Sequence, residues 1–91
     1  MAKKETPKKV LDPRMIQIAK KLKEMRINAG YTSYENFTID KGLPRVQYWR
    51  MEKGTNFQFE SLVKILDTHE MSLSEFFADF KDVEEPLRND L

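Results

Sequence analysis

The stretch GLPRVQYWRMEKG, residues 42 to 54, leaves the chain little choice of structure. Pro44 stands at or just before a first helical position, where its missing N–H costs nothing, and Gly54 lies just past the last one. Between those limits only a single short helix fits, about Arg45 to Lys53. Its inner side is expected to be Tyr48 and Met51, which leaves Arg45, Val46, Gln47, Trp49 and Arg50 facing outward. A valine and a tryptophan set among arginines suit an interaction surface better than a face that water alone covers.

Punctuation of the same kind divides the rest of the chain. Asp12 before Pro13 is an N-cap and first-position pair, and Met15, Ile18, Ala19, Leu22, Met25, Arg26 and Ala29 then recur at helical steps until Gly30. Thr32-Ser33-Tyr34-Glu35 is a capping box, with Thr32 or Ser33 as the cap, and Gly42 stops the helix it starts. After Thr55, Asn56 and Phe57 a fourth helix carries Phe59, Leu62, Val63, Ile65 and Leu66 as its apolar stripe. Ser72-Leu73-Ser74-Glu75 is a second capping box, with Met71 and Phe76 as a hydrophobic staple and Phe76, Phe77 and Phe80 as anchors. The expected fold is therefore all-α: five helices, no strands and short turns.

Ninety-one residues make one small domain, near the lower limit at which an apolar core suffices by itself. The expected division is a flexible basic arm over 1–11, a helical domain over 12–81 and an acidic tail over 82–91. There is no cysteine and one histidine, so neither a disulfide framework nor a metal site is expected, and no cofactor. No eighteen-residue apolar run occurs, so the chain is expected to avoid membranes and to be cytoplasmic. No paired carboxylates or nucleophile set has a setting that would activate it, which argues against an enzyme. No small-molecule ligand is evident from the sequence.

The charge is unevenly placed. Residues 1 to 53 hold 13 Lys and Arg against 6 Asp and Glu, a balance of +7, while residues 54 to 91 hold 3 against 9, a balance of −6. A basic half suits a polyanionic partner, and equally a solubilising end.

These residues also carry a resemblance. LKEMRINAGYT at 22 to 32, GLPRVQYWRMEKG, and SLVKILDTHEMSLSEFF at 61 to 77 are similar to the helix-turn-helix domains of the lambda repressor and Cro type, the xenobiotic response element family. YTSYENF and QYWRMEKG further resemble a subgroup of small regulators of Bacteroidetes-type bacteria. The resemblance covers about 60 of the 91 residues. It implies a compact five-helix DNA-binding domain whose third helix lies in the major groove of duplex DNA, in a sequence-specific transcriptional regulator of repressor type. Arg45 and Arg50 would fork onto guanines, Gln47 would pair with an adenine edge and Val46 would sit on a thymine methyl. Two readings stand for Trp49: packed against a neighbouring helix, or laid on sugar-phosphate and thymine methyls.

Phosphate contacts are expected from Thr32, Ser33 or Tyr34 at the start of the second helix, and from Lys41, Lys53, Thr55 and Asn56 around the third. Arg26 and Glu52 would form a structural ion pair. The family also implies a homodimer on palindromic half-sites, for which Phe76, Phe77, Phe80, Val83 and Leu87 are the candidates; the alternative is that the phenylalanines close the monomer core. Four features depart from the family pattern: one extra residue between Thr32 and Gly42, Pro44 in place of a Ser or Thr cap, His69 in place of a core Leu, and Glu70 in place of a glycine. His69 is read as a half-buried packing residue. The competing function is a protein-binding module, such as an antitoxin or adaptor, built on the same fold.

Overall fold

The computed structural model describes residues 12–81, and within them the chain forms five helices and no strand: α1 (Pro13–Asn28), α2 (Tyr34–Lys41), α3 (Arg45–Glu52), α4 (Phe59–Thr68) and α5 (Leu73–Phe77). The arm, the tail, Val83 and Leu87 lie outside the described residues. No helix among the described residues is long and apolar enough to cross a membrane.

The caps explain where the helices start. Asp12 accepts from the Arg14 amide at 2.8 Å and from the Arg14 guanidinium. Those hydrogen bonds hold its carboxyl down at about 2. Ser33, not Thr32, caps α2, accepting from the Asn36 amide at 3.2 Å. The reciprocal box expected at Thr32 and Glu35 does not form: the cap falls one residue later, and the Ser33–Asn36 bond is its only side-chain hydrogen bond among the described residues. Ser72 and Glu75 form the expected reciprocal box at α5, at 3.1 and 2.8 Å.

Helix ends are set by left-handed backbone. Gly42 closes α2 at φ 66°, which lets the Leu43 amide reach back to the Thr38 carbonyl at 2.9 Å. Glu70 performs the same turn after α4 at φ 54°, with the Met71 amide on the Leu66 carbonyl at 3.0 Å. A side chain in this region carries strain that glycine avoids.

The core gathers Leu22 and Met25 from α1, Phe37 from α2, Tyr48 and Met51 from α3, Leu62, Ile65 and Leu66 from α4, and Phe76 from α5. Every helix contributes, and the four after α1, at five to ten residues, are too short to be stable without that packing. The three phenylalanines close on one another with ring centroids 4.9 to 5.3 Å apart. Phe76 is completely buried, while Phe77 and Phe80 are half-buried against the same core. Phe76 is therefore part of the monomer core and unavailable to a second copy.

Two residues expected in apolar stripes are exposed. Ala29 is exposed because α1 stops at Asn28 and Ala29 is its C-cap. Phe59 is 55% exposed because it is the first residue of α4, before the helix has turned onto the core.

Candidate functional site

A buried ion pair sets the position of α3. Arg26 Nε and Nη2 donate to the two Glu52 carboxylate oxygens at 2.8 and 3.0 Å, and Nη1 donates to the Tyr31 carbonyl at 2.9 Å. Arg26 is only 4% exposed, and the Glu52 carboxylate holds its guanidinium pKa above the ordinary arginine value. Beside it the Tyr48 ring is buried among Leu22, Phe37 and Met51 of the core, and burial raises its phenol well above the usual range. These contacts fix one side of α3 against α1 and leave the other side to solvent.

That free side is narrower than the sequence reading makes it. At about 100° per residue, Arg45, Trp49, Val46 and Arg50 fall in that order across one strip. All four are exposed, Val46 at 50% and Trp49 at 40%. Gln47 falls off its edge and turns toward α4, where its carboxamide donates to Ser61 Oγ at 2.8 Å. The strip thus consists of two arginines flanking a valine and a tryptophan, and among the described residues neither arginine has an acidic partner.

Trp49 is packed on one side only. Its ring lies 6.5 Å from that of Tyr34 on α2, and Lys53 Nζ stands 5.3 Å from its centroid, yet a large part of the indole still meets solvent. Tyr34 and Lys53 cover one part of the ring and leave the rest open.

The flanking groups are unequal. Lys53 and Asn56 are exposed beside the strip, and Asn56 borders the shallow grooves on both sides of Arg50. Thr55 spends its hydroxyl on the Arg50 carbonyl at 2.9 Å, and Ser33 spends its own on capping α2. Thr32 is exposed. Lys41 is exposed on the last turn of α2, close enough to His69 to oppose its protonation. Phe57 and Gln58 border the groove beside Arg50 and were not anticipated; residues of a loop without periodicity give no sequence signal of where they face.

The start of α3 is open as well. Pro44 is its N-cap and provides no side-chain acceptor, and the first backbone bond is from the Tyr48 amide to the Pro44 carbonyl. The Arg45, Val46 and Gln47 amides have no partner among the described residues. They are the unpaired donors of the N-terminal end of the helix.

No protein-family model, curated protein or solved structure matches this chain. Geometry and chemistry alone must speak for the strip. It has no cluster of three or more His, Cys, Asp or Glu that could hold a metal, nor does any other part of the described residues. What it offers is exposed cations, free amides and a small apolar ridge on one helix face.

Proposed function

We propose that the chain is a sequence-specific DNA-binding regulator of the lambda repressor type, with α2 and α3 as its helix-turn-helix and α3 in the major groove. The observation that carries this reading is the strip itself: Arg45 and Arg50 exposed at its two edges, Val46 and Trp49 exposed between them. Arginine forks match the paired acceptors of guanine, and apolar groups match the thymine methyl. An exposed eight-residue helix fits a groove about 12 Å wide, and the three free amides at its start suit a phosphate. Lys53 and Asn56 then serve the phosphates beside it.

On this reading the protein binds and does not catalyse, acts in the cytoplasm, and needs no cofactor. A two-fold dimer on half-sites about one helical turn apart belongs to the same proposal. Its support is the partly exposed apolar ground of α5 and the turn after it, Leu73 with Phe77 and Phe80. The protein-binding alternative draws on Ile39, 74% exposed on α2, and on Phe59, neither of which DNA reading requires.

Titration of duplex DNA with the wild type and with Arg45→Ala and Arg50→Ala separates the two. Base-reading arginines lose about 1 to 3 kcal/mol on a preferred site and relax preference at one position each. Equal losses on all sequences would assign the arginines to phosphate instead, and no loss would favour the protein-binding alternative.

A further inference from the structure

On the opposite side of Gln47 from the strip, a cleft opens between α3 and α4, closed at one end by the turn from Gly42 to Pro44. Its volume is about 250 Å³. Leu43, Met51 and Ile65 supply apolar walls, and Gln47, Ser61 and Lys64 supply the polar groups. The Gln47–Ser61 hydrogen bond joins the two helices along this cleft. Lys64 is exposed and has no acidic partner among the described residues.

We propose that this cleft binds a small organic anion with an apolar body. An apolar cavity of about 150 Å³ holds a benzene ring, so the space here admits a ring or short chain together with a charged head. Apolar walls with a few convergent polar groups, lying between helices, are what small-molecule sites are made of. The walls take the body of the ligand. The ammonium of Lys64 selects a carboxylate or phosphate over an uncharged head, and the carboxamide of Gln47 exchanges Ser61 for the ligand as its acceptor. This site does not depend on DNA binding, because every group in it lies off the outward strip.

The test is a magnetic-resonance titration of the isotope-labelled full chain without DNA, using hydrocinnamate and, as its uncharged match, the corresponding alcohol. The expected result is saturable shifts at the Leu43, Gln47, Ser61 and Ile65 amides and at the Gln47 carboxamide. Hydrocinnamate should bind about five-fold tighter than the alcohol, and Lys64→Gln, an exposed change that leaves the core alone, should erase that preference. No saturation up to about 10 mM hydrocinnamate, shifts centred elsewhere, equal binding of acid and alcohol, or a preference that survives Lys64→Gln would each overturn the proposal.

Discussion

Arg26 and Glu52 meet as two parallel hydrogen bonds, 2.8 and 3.0 Å long, between the last turn of α1 and the last residue of α3. The pair ties the end of α3 to α1. Both side chains are almost out of water, so each depends on the other to offset the loss of its hydration.

Removing one partner should therefore cost more than the pair contributes. Arg26→Ala or Glu52→Ala is expected to lower unfolding free energy by about 3 kcal/mol, since either change strands a buried charge. Replacing both together with apolar residues of similar volume should cost clearly less than the two single losses combined. Urea unfolding of the three variants measures this. Additive losses would mean that the pair is not coupled.

Glu70 holds a left-handed turn that glycine holds at Gly42. Glu70→Gly should relieve the strain and stabilise the domain by about 0.5 to 1 kcal/mol, or roughly 3 to 6 °C in Tm. Glu70→Val, branched and unsuited to that backbone, should destabilise it. Thermal melts of both variants check the direction. A lower Tm for the glycine variant would show that the Glu70 side chain makes a contribution larger than its strain.

His69 stacks on Phe37 with centroids 5.4 Å apart, and its Nε2 is buried without a hydrogen-bond partner. Burial, and then the nearby Lys41 charge, lower its pKa below the ordinary 6.5. In the unfolded chain the imidazole takes up its proton first, so acid favours unfolding. The contribution of His69 to stability should be complete above pH 6.5 and fall away as the pH drops below it. His69→Leu should flatten that part of the profile. Denaturation midpoints between pH 5 and 8 provide the comparison, and an unchanged slope in the variant would place the acid sensitivity elsewhere.

Val46 and Trp49 bear on which bases are read. If their apolar ridge lies on thymine, replacing the contacted thymine by uracil removes one methyl, worth about 0.8 kcal/mol or about four-fold in affinity. Val46→Ala should shrink that difference. A preferred duplex that binds equally well with uracil throughout would show that the ridge touches sugar-phosphate only.

Much of this was legible from residue type and spacing. Asp12–Pro13, Ser72–Glu75 and the glycines declare helix ends through local chemistry, which operates before any tertiary contact forms, so the five helices could be read directly. The Arg26–Glu52 pair could be anticipated only through resemblance to a family, since 26 residues separate the partners. What periodicity missed lies at helix edges. Gln47 stands at the angle where outer face and core meet, and only the arrival of Ser61 from α4 decides its direction. Phe59 fits the stripe of α4 in pattern, yet as the first residue of that helix it is 55% exposed. Thr32 and Ser33 are chemically similar as caps, so residue type does not choose between them, and the structure has Ser33.

The most direct test of α3 as a DNA reader is selection of bound sites from a random duplex pool by the full chain, followed by titration of the enriched duplex across a range of salt concentrations. The expected result is one recurring motif containing guanines and thymine, with log affinity falling linearly with log salt by about 0.9 for each phosphate neutralised. A pool that shows no enrichment, or binding that ignores salt, would contradict it.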